Sequence, residues 1–418
     1  MKIFATSLGC KVNAYEARAI TATFLKHGYQ LGDLSHFDVA LINTCTVTHV
    51  ASQKSRQLIR KLRRNNPKAI IIVIGCFVIN NANTIIKDCG ADIIVSNNHY
   101  HEIYPLVNEF KKKQKKIIKV DSKATLRKLT KYEELGINQY TESTRAYVKI
   151  SDGCDNFCSY CIIPLVRGKL RSRDPKQILC EVKTLIKQGY KEVVLTGIDT
   201  SSYGKEFKNY HLADLLNDIL KNNPRLYRLR LSSIEISQID DKFLRILKTY
   251  PNFANHLHLS LQSGSDTVLK RMNRKYTNKQ FLDKVKAIRQ VRKDIALTTD
   301  VIVGFPNESE KEFKETLSFL KKVKFSQIHA FPFSPREGTA AYLMKDVDIK
   351  IKNQRMRQLL KLNQTLKVNY LKQFYGQTLE VLFEEKNVGL TTNYLRVKGH
   401  YPANCIKKIR LNKNNVIA

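Results

Sequence analysis

Acidic residues are scarce in this sequence: 37 Asp and Glu stand against 72 Lys and Arg, a formal charge of +35 over 418 residues. An imbalance of that size points to a polyanionic partner. No apolar run approaches membrane-spanning length, and there is no acylation signal, so a nucleic acid is expected rather than a membrane. Met1 to Cys10 lacks the charged, apolar and small-residue pattern of a secretory leader, and a cytoplasmic location is expected. Nine cysteines in a reducing compartment do not make a disulfide framework, which leaves metal ligation or catalysis for those in motifs. With 43% hydrophobic residues, the chain has enough apolar material for two or three packed domains.

A fourth ligand is also missing. The run S-D-G-C-D-N-F-C-S-Y-C-I-I-P, from Ser151 to Pro164, sets Cys154, Cys158 and Cys161 at C-x3-C-x2-C in a glycine-initiated loop. Three thiolates turned toward one point suit an iron-sulfur cluster or zinc. A structural zinc site closes with four protein ligands, and the next dozen residues supply no further Cys or His. Three ligands leave one metal position open, where a small molecule binds and receives an electron. Three unrelated buried thiols would have no reason to share a loop.

Toward the N-terminus, strands are expected at residues 2–8, 37–43, 69–74 and 91–96, with helical patterns between them. Such alternation implies a parallel sheet whose carboxyl ends share one edge. Cys10, Cys45 and Cys76 each follow a strand and a short turn, so they are expected to converge at the edge where such sheets bind ligands, as a second cluster site. Cys89, Cys180 and Cys405 lack that placement and are expected to be structural.

Residues 108–140 are lysine-rich, with K-K-K-Q-K-K at 111–116, and read as a basic connector whose charge run is solvated. From Arg145 the βα alternation restarts, with strands expected near 146–150, 192–198, 227–234, 256–262, 298–304 and 327–333. Six units make a partial (βα)6 barrel with its chemistry at the strands' carboxyl ends. Gly197 and Gly304 there admit close backbone approach, to a ligand or within a turn. His256 and His258 alternate with leucines, and His258 is a candidate cofactor contact or a hydrogen-bonded barrel histidine. Basic stretches at 166–173 and 269–276 border the expected barrel mouth and suit phosphates and an unstacked base. After an amphipathic stretch from Ile349 to Phe374, an alternating β pattern from Gly376 predicts a small basic barrel that binds RNA. The fold class is therefore α/β: an N-terminal parallel-sheet βα domain (1–107), a basic linker (108–140), a central partial barrel (141–374) and a small C-terminal β-barrel (375–418).

As a set, these residues resemble the methylthiotransferases of the radical S-adenosylmethionine superfamily. The resemblance runs from residue 1 to about 410 and is carried by L-G-C-K-V-N (8–13) with Tyr15-Glu16, N-T-C-T-V-T (43–48) and I-G-C (74–76). The cysteine loop with P-x-x-R-G through Gly168, S-R-D (172–174), L-T-G-I (195–198), R-L-S-S-I-E (230–235), H-L-H-L-S-L-Q-S-G-S (256–265) and R-M-N-R (271–274) complete it. L-G-C-K-V-N and G-L-T-T-N-Y-L-R-V (389–397) resemble the branch acting on N6-threonylcarbamoyladenosine at position 37, beside the tRNA anticodon, and its C-terminal TRAM domain. The resemblance implies a [4Fe-4S] cluster on Cys154, Cys158 and Cys161, whose free iron binds S-adenosylmethionine and cleaves it to a 5′-deoxyadenosyl radical. It implies a second [4Fe-4S] cluster on Cys10, Cys45 and Cys76, carrying the sulfur that is methylated and transferred to C2 of the adenine. An aromatic C2–H is neither acidic nor displaced by a thiolate, which is why radical chemistry is needed. By the same resemblance, Tyr160, Gly197, Glu235 and Gln262 line the S-adenosylmethionine site. Arg171, Arg173, Arg271 and Arg274 are the expected RNA contacts, and an electron donor such as flavodoxin or ferredoxin is the expected partner. The chain departs from the pattern at Asp199, where His or Asn is expected, and in its short TRAM-like domain. The alternatives are a methylthiotransferase for isopentenyladenosine tRNA or a ribosomal protein and, in another class, a non-catalytic iron-sulfur RNA-binding sensor. Cleavage of S-adenosylmethionine under reducing conditions separates the last from the others.

Overall fold

The computed structural model describes residues 1–136 and 144–417. Residues 137–143, where the expected connector meets the expected central domain, lie outside them.

The N-terminal sheet has six parallel strands: β1 (Lys2–Ser7), β2 (Gln30–Leu31), β3 (Val39–Thr44), β4 (Ile70–Gly75), β5 (Ile93–Val95) and β6 (Ile117–Lys119), in the order β2-β1-β3-β4-β5-β6. Every residue of β3 and β4 is buried, as expected for strands covered on both faces. On one face Ile3, Leu41 and Ile72 pack against Ala17, Ile20 and Phe24 of helix α1 (Lys11–Lys26); on the other, Ala40, Ile42 and Ile71 pack against Ile59 and Leu62 of helix α2 (His49–Asn65). The expected linker begins as part of this domain. Lys111 to Lys113 form the last turn of a helix, where cations complement the helix dipole, and β6 then joins the sheet edge.

The central strands are β7 (Arg145–Asp152), β8 (Arg171–Ser172), β9 (Glu192–Gly197), β10 (Arg228–Leu231), β11 (His256–Gln262), β12 (Ala296–Val303) and β13 (Gln327–Pro332). Parallel pairing runs β7-β9-β10 and β11-β12-β13. The isolated bridges Leu229↔Phe253 and Ile234↔Leu259 connect the two groups into one arc. Strand alternation separates its faces: Val148, Leu195, Leu229 and Leu257 join the helices in one apolar core. The intervening residues, among them Lys149, Arg230, His258, Asp300 and His329, point inward. Helix α1 lies against this inner face, with the Arg18 guanidinium 5.4 Å from the Tyr147 ring centroid and Glu16 2.7 Å from the Lys149 ammonium.

The expected amphipathic stretch is the helix Ile349–Lys372. It leads to an antiparallel sheet of β14 (Thr378–Glu385), β15 (Val388–Thr391), β16 (Arg396–Lys398), β17 (Cys405–Arg410) and β18 (Val416–Ile417), in the order β17-β14-β15-β16-β18. This sheet covers the amino-terminal end of the barrel. Arg228 donates to the carbonyls of Leu390 and Thr391 at 3.2 and 3.3 Å, Arg145 pairs with Glu384 at 2.9 Å, and the His256 ring stacks on Tyr394 at 4.1 Å.

Glu192 anchors the junction. Its carboxylate accepts from Arg228 at 2.9 Å and Arg230 at 2.8 Å. Burial alone would raise its pKa, but Arg230 and Arg228 outweigh burial and hold it at about 2. A carboxylate depressed in the folded state stabilises the fold above its unfolded pKa and loses that contribution as pH falls through the folded value. Stability is therefore expected to fall between the ordinary Glu range and about pH 2 by an amount on the order of 3 kcal/mol. In Glu192→Gln that slope should be shallower, as measured by denaturant titration across the window.

Candidate functional site

Cys154, Cys158 and Cys161 lie just past the carboxyl end of β7. The chain turns there at Gly153, with φ +69°, where a Cβ would sit 1.8 Å from the Lys169 carbonyl oxygen, so only glycine fits. The first two thiols have polar neighbours. The Cys154 thiol lies 3.6 Å from Asp199 Oδ2 and its sulfur accepts from the Asn156 N–H at 3.4 Å; the Cys158 sulfur accepts from the Arg274 guanidinium at 3.2 Å. Burial pushes the Cys161 thiol up to about 12 and raises Cys154 as well. Asp199, the departure from the family pattern, thus sits against the first cysteine, held there by Asn156 Nδ2 at 3.0 Å.

The second triad stands at the carboxyl edge of the N-terminal sheet: Cys10 at the start of α1, Cys45 after β3, and Cys76 after β4. Gly9, with φ +97°, brings the chain so close to Cys45 that a Cβ would lie 2.9 Å from its sulfur. Asn13 fastens the two loops together, donating to the carbonyls of Leu8 at 2.8 Å and Thr44 at 3.1 Å. Cys76 is buried, and burial pushes its thiol up to about 12 against the opposing pull of Arg167.

Arg167 joins the two triads. Fully buried, it donates from Nε to the Cys76 sulfur at 3.1 Å, from Nη2 to Asn13 Oδ1 at 3.0 Å, and from both Nη atoms to Glu16 at 2.5 and 3.0 Å. Asp152, two residues before Cys154, lies 3.3 Å from Nη1, and Lys149 completes the network by pairing with Asp152 at 2.6 Å. Burial favours a protonated Asp152, but Lys149, Arg167 and Arg171 overcome it and hold the carboxyl well below its usual range. Cys76 also packs on Ile162 and Val166, immediately after the central cysteines.

The chemistry of the donors fits two iron-sulfur clusters. Each triad offers three soft sulfurs, one of which already receives a guanidinium hydrogen bond, the kind of contact that tunes such clusters. Among the described residues no three His, Cys, Asp or Glu side chains converge on the position of a single metal ion.

The other expected site residues divide. Tyr160 packs against an apolar group with Val268, Met272 and Phe305 near the cysteine loop. Glu235 is held by Arg274 at 2.7 Å, and Gln262, at the end of β11, has φ +69°, a strained conformation for a non-glycine residue and one that clusters at functional sites. Gly197 is accounted for by protein packing, since a Cβ would meet Ser151 Oγ at 2.2 Å, and Gly304 likewise by Lys352 at 2.5 Å.

The four arginines expected to face RNA do not form a phosphate-binding surface. Arg173 is buried between Glu134 and Glu181; Arg171 is buried on the carbonyls of Arg167 and Lys169. Arg274 lies beneath Glu235 and Cys158, and Arg271 pairs with Glu312 at 3.0 Å. Carboxylates from distant segments fold back onto these charges. The exposed cations of the same stretches are Lys169, Lys270 and Lys275, and the C-terminal sheet adds Arg396, Lys398, Lys407, Lys408 and Arg410. Lys398→Glu and Lys408→Glu are each expected to weaken binding to tRNA and to make the log–log salt dependence shallower by about one unit for each phosphate no longer neutralised. Titration at several salt concentrations checks this, and unchanged slopes would remove the C-terminal sheet from the RNA surface.

Sequence reasoning passed over Lys149 and Asp152, and read Arg167 only as part of a basic stretch. The available signal was the pair of charges on β7, at positions where a core strand does not tolerate them unpaired.

Residues 148–320 match the family model of the radical SAM superfamily, and residues 2–96 match that of the uncharacterized protein family UPF0004. The chain is 42% identical to the threonylcarbamoyladenosine tRNA methylthiotransferase MtaB of Bacillus subtilis, over 94% of this chain and 88% of that one. It is 36% identical to MtaB of Aquifex aeolicus, over 95% of this chain and 96% of that one. It is also 36% identical to the tRNA-2-methylthio-N(6)-dimethylallyladenosine synthase of Geobacillus thermodenitrificans, over 92% and 74%. Among solved structures, the radical S-adenosylmethionine methyltransferase TsrM from Kitasatospora setae superposes with a TM-score of 0.61 over 82% of this chain and 77% of that one, at 13% identity. That likeness concerns the fold alone.

Proposed function

We propose, for a chain that belongs to the radical S-adenosylmethionine tRNA methylthiotransferases, that its two cysteine triads divide the reaction between them. The enzyme installs a methylthio group at C2 of N6-threonylcarbamoyladenosine at position 37 of tRNA, and uses two [4Fe-4S] clusters and S-adenosylmethionine. In our reading Cys154, Cys158 and Cys161 hold one cluster and Cys10, Cys45 and Cys76 the other. When bound, these groups supply one-electron cleavage of S-adenosylmethionine and a sulfur carrier.

The protein's own part is positioning. Asp199 and Asn156 orient Cys154; Arg274 holds Glu235 and Cys158 in one place; Tyr160 supplies an apolar wall. Arg167 fixes the distance between the two sites. The observation that carries the division of labour is this single buried guanidinium, bonded to Cys76 on one side and to Asp152, at the root of the other cysteine loop, on the other. A reduced flavodoxin or ferredoxin is the proposed electron donor and the cytoplasm the proposed location; no helix of the described residues is long and apolar enough to cross a membrane.

The test is mass analysis of tRNA nucleosides from cells with and without the protein. Loss of the methylthio form of threonylcarbamoyladenosine alone is the expected result. Loss of methylthiolated dimethylallyladenosine instead would establish the second reading.

A further inference from the structure

The inner face of the barrel is polar, and among the described residues one cation beside it, Lys11, has no side-chain partner. Lys11 follows Cys10 directly and is partly buried, yet among the described residues its ammonium makes no hydrogen bond or ion pair. Its charged neighbours are Arg145, Arg230 and Glu192. The available carboxylates are already taken: Glu192 by Arg228 and Arg230, Glu384 by Arg145. The Lys11 ammonium is thus near two guanidinium groups that disfavour its charge and near Glu192 and Cys10 that favour it, with no carboxylate of its own, an arrangement that an incoming anion would relieve.

Across the same face, β11, β12 and β13 bring a second polar group into register. His258 pairs with Thr298 and Asp300 with His329 along the strands. His258 bonds through Nδ1 to Thr298 Oγ1 at 3.0 Å and through Nε2 to Asp300 Oδ2 at 3.2 Å, and its ring lies 5.7 Å from that of His329. The side chains stay within reach of solvent, His258 being 14% and Asp300 33% exposed. Neither the proposed clusters nor the proposed S-adenosylmethionine residues use this group.

We propose that this inner face is the site that recognises the threonylcarbamoyl substituent, with Lys11 pairing its carboxylate, Asp300 and His329 binding its hydroxyl and urea groups, and His258, both of whose ring nitrogens are engaged, holding Asp300 in place. The assignment rests on the substrate reading above. The chemistry is complementary: the substituent carries an anionic carboxylate, a hydroxyl and urea N–H donors, and the face offers the Lys11 ammonium, the Asp300 carboxylate and the His329 imidazole. A dimethylallyl group is hydrocarbon, and seating it here would desolvate the same polar groups with nothing in return. Sites built to hydrogen-bond a substrate reject analogues lacking the partner far more strongly than apolar pockets reject polar ones. These residues therefore set which modified adenosine is accepted.

The experiment measures binding, not turnover. The full-length, anaerobically reconstituted protein is titrated with synthetic anticodon stem-loops carrying threonylcarbamoyladenosine, dimethylallyladenosine or unmodified adenosine, and iron per chain is measured for every variant. The unaltered protein should prefer the threonylcarbamoyl stem-loop over the unmodified one by about tenfold or more. In Lys11→Met the preference should fall to about twofold or less, with affinity for the unmodified stem-loop unchanged. Asp300→Asn and His329→Leu, on strands remote from the cysteines, should each erode it in part, and they decide the matter if Lys11→Met loses iron. Preference retained in all iron-replete variants would overturn the assignment. An unaltered protein that favours the dimethylallyl stem-loop, or none, would instead overturn the substrate reading itself.

Discussion

Replacing Cys10, Cys45 and Cys76 together with Ala is expected to leave 5′-deoxyadenosine formation intact while abolishing the methylthiolated nucleoside. The two triads stand at the carboxyl edges of two different sheets, so each has its own backbone support and the loss of one set of thiols leaves the other loop in place. Iron should drop from about eight to about four per chain. The Cys154, Cys158 and Cys161 variant should lose both products, because transfer depends on cleavage. The measurement is a paired assay of 5′-deoxyadenosine and methylthiolated nucleoside from one anaerobic reaction containing threonylcarbamoyl-modified tRNA. If the N-terminal variant still methylthiolated tRNA, those three cysteines would be structural and the division of labour would fall.

Arg167→Met is expected to destabilise the fold strongly. Methionine fills similar space but leaves Glu16 and Asp152 buried and sharing the Lys149 ammonium, with Arg171 a further 3.7 Å from Asp152. Breaking a buried ion pair by removing one partner costs about 3–5 kcal/mol. Arg167→Lys should recover part of that loss, because the charge returns but the fork that reaches Cys76, Asn13 and Glu16 together does not. Beyond stability, the reduction potential of the N-terminal cluster should shift in the Lys variant, since a hydrogen bond to one ligand sulfur is gone. Denaturant titration and redox-poised spectroscopy read the two effects separately. A loss no larger than that of a surface substitution, within about 0.5 kcal/mol, would show that the network adds nothing.

The sequence was most readable where structure is local. A strand, a short turn and a cysteine recur three times, and that repetition placed Cys10, Cys45 and Cys76 on one edge because parallel strands leave little choice. The barrel strands were legible by their apolar positions, and the C-terminal strands by alternation. What was not legible depends on distant partners. Arg171 and Arg173 read as an RNA-facing run because Glu134 and Glu181 are not adjacent in sequence, and the Ser151 hydroxyl that crowds Gly197 was not legible because it sits on another strand. The two- and three-residue edge strands β2 and β6 are too short to carry a pattern of their own. Nothing in the period of α1 announced that one side of it would line the barrel of another domain.

The Glu16–Arg167 contact spans 151 positions of chain. A ribosome adding 5–20 residues per second needs roughly 8–30 s to travel that far. Throughout that interval Glu16 lacks the cation it pairs with, and Asn43, at 3.0 Å, is the neighbour from its own domain that can hold it in place. The face that later closes over Arg167 must therefore remain hydrated while the barrel is still emerging, and the shared site between the cysteine triads forms only after the two domains have been synthesised and docked. Docking of the two cysteine triads is thus a late event in the life of each molecule, and until then Cys76 lacks the cover of Ile162, Val166 and Arg167.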